Sequence, residues 1–190
     1  MKVGLYFGTF NPIHIGHMAI ANYMLEFTEL EKLWFVVSPQ NPFKNKKHLL
    51  DDYQRLELVN RAIEDDYRFS ANSIEFSLPK PSYTIDTLAH LQEKYPQHEF
   101  SLIMGSDNLE FLNKWKNHEQ LLAYYHILVY PRPGFESSEW LRFPNINLIE
   151  APLMEISASF IRNSIKEGKD IRHFLPAKTW QYLSEMNFYK

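Results

Sequence analysis

The chain has 190 residues, 45% of them hydrophobic and 15% aromatic, which suits one domain with a substantial core and is too apolar for a disordered chain. Its formal net charge of −3 argues against a protein whose main work is gripping a nucleic-acid backbone. With no cysteine, disulfides, thiolate zinc sites and cysteine nucleophiles are excluded.

The opening MKVGLYFGTF is too short and too glycine-interrupted for a secretory signal, and no apolar run reaches the length of a membrane span. The expectation is a cytoplasmic protein without nucleic-acid or membrane partners; monomer and homo-oligomer both stay open. There is no internal repeat and no low-complexity stretch. VGLYF (3–7) reads as a buried strand before Gly8. A helix opens at Gly16 or His17 and runs to about Phe27, with Ile20, Met24 and Phe27 at helical spacing. KLWFVVS (32–38) is a second strand closed by Pro39, and 41–50 is a polar, basic loop. Asp51 or Asp52 can cap a helix carrying Leu56, Val59 and Ile63 on one face. Residues 68–78 look extended and PKPS (79–82) breaks them. Thr84 to Tyr95 reads as a helix with Ile85, Leu88 and Tyr95 inward. Strands follow at 100–105 and 126–131, with a further one expected at 146–152. Ser157 caps a helix ending at Gly168, and a last helix occupies 177–186.

Strands alternating with helices predict an α/β domain: a Rossmann-like open, mainly parallel sheet with helices on both faces. Ligands of such sheets bind beyond the carboxyl ends of the strands. Here those ends are Gly8, Ser38–Pro39, Gly105 and Tyr130–Pro131, so four loops should build the site.

The first loop carries the chemistry. In GTFNPIHIGH (8–17) a glycine turn separates a strand from a helix start, though neither GxGxxG nor GxxxxGK[ST] is present. Gly8 allows close approach of a ligand to the backbone, and the helix start near Gly16 offers free N–H groups to an anion. His14 and His17 add donors, and positive charge when protonated. Zinc is the rival reading. It normally takes three or four protein ligands, no cysteine exists to supply one, and His48 and His90 lie in segments without ligand spacing. Late in the chain, Ser157 and Arg162 in ISASFIR (156–162) could cap a helix and sit in solvent, or meet phosphate oxygens. Asp107 could cap a short helix at 108–112, bind ribose hydroxyls or help hold a metal. Trp115 lies in a polar run. Arg55 and Arg61 read as ion-pairing, and Arg132, after a strand end, is a weak site candidate.

GTFNPIHIGH resembles the (H/T)xGH signature of the nucleotidylyltransferases, and ISASFIR resembles their second signature. PSYTIDTL (81–88) and GSDNLEFLNKW (105–115) are similar to the nicotinate mononucleotide adenylyltransferases in particular, and the resemblance runs over nearly the whole chain. Asn11 stands where that family usually has Asp, Ala158–Ser159 where it has Ser–Thr, and SPQNPFK (38–44) lacks its double proline. The resemblance implies attack of the phosphate of nicotinate mononucleotide on the α-phosphate of ATP, with pyrophosphate leaving and no covalent intermediate. It implies a single domain over 1–190 whose C-terminal helices, about 157–190, complete the ATP site. On this reading His14 and His17 form a phosphate clamp, His17 at the α-phosphate and His14 at the β- and γ-phosphates. Gly8, Thr9, Phe10, Gly16, Gly105, Asp107, Ser157, Phe160 and Arg162 serve ATP. Lys44, Tyr83, Thr84 and Trp115 serve the mononucleotide, with Trp115 stacked on its ring. Mg²⁺ would be the cofactor, held mainly by the ATP phosphates and not by protein side chains.

Two alternatives remain. A sister enzyme could use pantetheine phosphate, nicotinamide mononucleotide or CTP, but coenzyme A-forming sisters usually carry Thr at the position of His14. A nucleotide-binding regulator without turnover should show damage to one signature, and both histidines and Arg162 are intact.

Overall fold

The computed structural model describes residues 1–39, 49–135 and 139–190. Six parallel strands form one sheet in the order β3-β2-β1-β4-β5-β6: β1 (Lys2–Gly8), β2 (Lys32–Val37), β3 (Phe69–Asn72), β4 (Glu99–Gly105), β5 (His126–Tyr130) and β6 (Ile146–Leu148). The helices are α1 (Ile15–Phe27), α2 (Asp52–Ile63), α3 (Thr84–Lys94), α4 (Ser106–Leu109), α5 (His118–Tyr124), α6 (Ala158–Lys166) and α7 (Ala177–Glu185).

A strand buried on both faces sends alternate side chains to opposite layers. In β2, Leu33, Phe35 and Val37 enter one core with Ile20 and Met24 of α1, Leu58 and Val59 of α2, Ile161 and Ile165 of α6 and Leu183 of α7. Trp34 and Val36 enter the other, with Ile85, Leu88 and Leu91 of α3, Leu109 of α4 and Leu121 of α5. Helices therefore cover both faces, as the alternation predicts. The sheet order reverses direction between β1 and β4. That switch point opens a crevice at the carboxyl ends of these two strands, and the functional loops converge there.

Some local expectations need correction. Of 68–78 only Phe69–Asn72 is strand; Ile74–Phe76 is a 3₁₀ turn whose start is fixed by the Asn72 side chain accepting from the Ile74 N–H at 2.9 Å. β6 stops at Leu148, not at 152. The short helix after β4 begins at Ser106 rather than 108, and α5 was not anticipated because HEQLLAY is only two turns long with one buried residue, Leu121. Asp51, not Asp52, caps α2, accepting from the Tyr53 N–H at 2.9 Å.

Candidate active site

The loop after β1 is shaped from within. Phe10 adopts a left-handed backbone (φ 44°), which is uncommon for a bulky residue. This folds its ring back over Gly8, where a Cβ would lie 2.8 Å from the ring. On the side where a Cβ would stand, the close approach that Gly8 permits is to Phe10. Phe10 is buried edge-on against Tyr6, Phe35 and His17, so only its backbone can face a ligand; Thr9 is exposed.

Beyond this bend the two histidines stack, with ring centroids 3.7 Å apart. His14 is 4% exposed and His17 half-buried. The His14 backbone N–H donates to His17 Nδ1 at 3.2 Å, which places the proton of a neutral His17 ring on Nε2. Burial, reinforced by the positive charge of Arg132, lowers the pKa of His14 to about 4. Burial, then His14 and Arg132, lowers that of His17 well below its usual value. Near neutral pH both rings are thus uncharged N–H donors, not the cations that unperturbed histidines become in mild acid. His14 Nδ1 is buried without a hydrogen-bond partner among the described residues.

These rings line a cavity of about 160 Å³ with Gly16, Ile20, Tyr6, Asp107, Tyr130, Arg132, Met154, Ile156, Ser157 and Ala158. Every strand from β1 outward in one direction contributes: the α1 start after β1, Asp107 after β4, Arg132 after β5, Ser157 after β6. Asp107 does not cap a helix. Its Oδ1 is buried, without a hydrogen-bond partner among the described residues, and lies 4.0 Å from Arg132 Nε. Gly105 makes that position possible, because a side chain there would collide with the Asp107 carboxylate. Arg132, weak from sequence, is held by its backbone N–H on Ser106 Oγ (2.9 Å) and by Nη1 on the Met154 carbonyl (3.2 Å). Its positive charge adds to burial in lowering the pKa values of both histidines.

Ser157 caps α6, its Oγ accepting from the Phe160 N–H at 3.2 Å. One turn on, Arg162 reaches back across the chain: Nη1 donates to the Asn11 carbonyl (2.8 Å) and Nη2 to Ser159 Oγ (3.2 Å). Asn11 is a hub, its Oδ1 accepting from Tyr189 Oη at 2.6 Å and from the Leu50 N–H at 3.2 Å. The two signatures and the chain's tail are thus physically joined. Phe160 is exposed and packs edge-on to Phe174, on the outer rim that Met154 and Ile156 share with the cavity.

Tyr83, Thr84 and Trp115 do not line the cavity. Thr84 is the first residue of α3, and no side chain caps that helix start. Tyr83 is exposed, with Lys116 Nζ 4.7 Å from its ring centre and Lys116 paired to Asp86 at 2.7 Å, which brings the segment after Trp115 beside the α3 start. Trp115 is half-buried and packs on the second core. Lys44, with Lys46, Lys47 and His48, lies outside the described residues.

Arg55 differs most from its sequence reading. Beyond its pair with Asp52 it is 0% exposed and donates to three carbonyls: Nη1 to Thr9 (2.6 Å) and Ser38 (2.7 Å), Nε to Leu50 (3.1 Å). It ties the ends of β1 and β2 together from beneath. Only an arginine among apolar neighbours in a helix hinted at this, and such a residue reads equally well as a surface ion pair. Among the described residues no group of three or more His, Asp or Glu could hold a metal. Among the described residues, the donor set at the cavity, one carboxylate oxygen without a hydrogen-bond partner among N–H donors, fits a divalent cation carried mainly on nucleotide phosphates.

Residues 5–164 match the cytidylyltransferase-like family model. A Flavobacterium johnsoniae protein curated as "Probable nicotinate-nucleotide adenylyltransferase" is 57% identical over the full length of both chains. A Porphyromonas gingivalis protein of the same description is 48% identical, covering 93% of this chain and 90% of its own. Among solved structures, Plasmodium falciparum nicotinic acid mononucleotide adenylyltransferase complexed with NaAD superposes with a TM-score of 0.82 at 22% identity, covering 99% of this chain and 97% of that one.

Proposed function

The chain belongs to the cytidylyltransferase-like family and groups with its nicotinate-nucleotide adenylyltransferases; on that premise we propose how it transfers the adenylyl group of ATP to nicotinate mononucleotide, giving nicotinate adenine dinucleotide and pyrophosphate, a step of NAD biosynthesis. One observation carries the mechanism: two stacked, neutral imidazoles, the starts of α1 and α6, and Arg132 all converge on one cavity at the sheet's switch point.

The attacking group is a phosphate oxygen that is already ionised, so no general base is required. A bond forms from that oxygen to the α-phosphorus of ATP while the bond from the α-phosphorus to the bridging oxygen breaks, and pyrophosphate carries away the electron pair. The protein's task is to align two anions and spread the growing charge. His17 Nε2–H meets the α-phosphate. His14, the α6 start at Ser157 and the fork of Arg162 meet the β- and γ-phosphates. Asp107 receives the ribose hydroxyls. Magnesium on the triphosphate supplies further charge neutralisation when bound. The helices from 157 onward complete this half, since Arg162 and Tyr189 both fasten on Asn11. The mononucleotide lies over Trp115, its ring carboxylate on the free N–H groups at the α3 start, with Lys44 on its phosphate.

The test is a pyrophosphate-release assay with ATP, magnesium and three acceptors: nicotinate mononucleotide, nicotinamide mononucleotide and pantetheine phosphate. Turnover is expected with the first at the highest kcat/KM. A higher kcat/KM with either of the others would replace this reading by that of the corresponding sister enzyme.

A further inference from the structure

Among the described residues outside the cavity, one acidic side chain that the mechanism above does not use is buried. Glu75, in the 3₁₀ turn after β3, is 3% exposed. Its Oε1 accepts from Thr87 Oγ1 at 2.8 Å, both groups being buried. Its Oε2 is buried with no hydrogen-bond partner at normal bonding distance among the described residues. The hydroxyls of Ser38 and Ser82 lie beside the carboxyl and favour its charged form, but burial outweighs them and raises its pKa. A carboxyl in such a place is unfavourable for folding, and a leucine would fill the space at less cost.

What surrounds Glu75 suggests why it is there. Ser38 follows the end of β2, and its carbonyl is gripped by Arg55. Ser82 precedes Tyr83 and Thr84, and Thr87 lies in the first turn of α3, its N–H bonded to the Tyr83 carbonyl at 3.1 Å. The carboxyl therefore stands between the end of a central strand and the helix start assigned above to the mononucleotide. We propose that Glu75 is a positioning residue for the mononucleotide half of the site, setting the α3 start against the end of β2 through Thr87 and the neighbouring Ser38 and Ser82 hydroxyls. The bond to Thr87 ties the carboxyl to the first turn of α3, and so to the helix start beside Tyr83 and Thr84. The inference rests on the assignment of Tyr83 and Thr84 to nicotinate mononucleotide.

The experiment compares Glu75→Leu, Glu75→Gln and Thr87→Val with the wild type in steady-state kinetics, varying each substrate in turn, alongside thermal unfolding. Glu75→Leu should raise KM for nicotinate mononucleotide on the order of tenfold, while KM for ATP stays within about twofold. Its melting temperature should be unchanged or higher. Glu75→Gln keeps the acceptor for Thr87 and should fall between wild type and Glu75→Leu. Thr87→Val should shift the same KM, and combining it with Glu75→Leu should add little, as expected for two ends of one network. If Glu75→Leu does not fold, Thr87→Val and Glu75→Gln carry the test alone. Unchanged constants for both substrates, or equal losses for both, would overturn the proposal. A wild type that does not use nicotinate mononucleotide would instead overturn the underlying assignment, so the two failures are distinct.

Discussion

Replacing His17 by alanine isolates the central donor of the site. The Nε2–H is fixed by the bond from the His14 N–H to Nδ1, so it is aimed before substrate arrives. Removing one such preorganised donor to a developing phosphate charge should raise the barrier by about 3 kcal/mol, a factor of 100 or more in kcat. The structural cost is smaller. The substitution frees one N–H at a half-open helix start, breaks the 3.7 Å stack on His14 and removes an edge contact to Phe10 at 5.2 Å. These together amount to roughly 1–2 kcal/mol of stability, which a domain of this size tolerates. The assay is pyrophosphate release at saturating substrates, with circular dichroism and urea unfolding as the folding control. A loss seated in kcat in a folded protein is expected, and added zinc should not restore it. A folded variant within threefold of wild-type kcat would refute the clamp assignment.

Arg162→Lys keeps the charge but cannot hold the Asn11 carbonyl and Ser159 Oγ with one planar fork; kcat/KM for ATP should fall on the order of tenfold to a hundredfold with little change for the acceptor, measured by varying each substrate separately. Arg55→Met leaves the carbonyls of Thr9, Ser38 and Leu50 without this donor and should lower unfolding free energy by about 3 kcal/mol or more in urea titration; a loss below 1 kcal/mol would mean that these loop ends hold without it. Acid should weaken the fold through His14: the unfolded ring takes a proton below about 6.5 and the folded ring only near 4, so the unfolded state binds more protons in that window and stability falls with pH across it. The contribution is about 3 kcal/mol over the full window, and His14→Asn should reduce the slope of unfolding free energy between pH 7 and 4.5, with His17 supplying the remainder; a wild-type slope unchanged by the substitution would contradict the buried neutral ring. At the α3 start, an amide must turn its NH₂ toward backbone donors, so nicotinate mononucleotide should exceed nicotinamide mononucleotide at least about tenfold in kcat/KM, and Trp115→Phe should weaken both without changing the ratio.

The fold was legible where the signal was periodic. The runs at 3–7, 32–38 and 100–105 are continuous apolar strands because the sheet is covered on both faces, and their order with the helices between them specifies parallel pairing. Elements without period were missed or misjudged: α5 is too short to show one, and the turn at Ile74–Phe76 is set by the Asn72 side chain, whose bond competes with strand pairing. In the site, GTFNPIHIGH marked the histidines, but not that burial and Arg132 strip them of charge, which depends on contacts 115 or more residues apart in the chain. Arg55, Arg132 and Glu75 carry no local signature. Each acts through partners from distant loops, and a charged residue in a helix or turn looks the same in sequence whether it is solvated or buried.

The central claim, direct attack of one phosphate on the α-phosphorus of ATP, is tested most directly by following label. With nicotinate mononucleotide and ATP labelled with ³²P at the α-position, all radioactivity consumed from ATP should appear in the dinucleotide and none in pyrophosphate; with label at the γ-position, all of it should appear in pyrophosphate. Label from the γ-position in any form of the mononucleotide, or α-label retained on the protein after denaturation, would contradict the account.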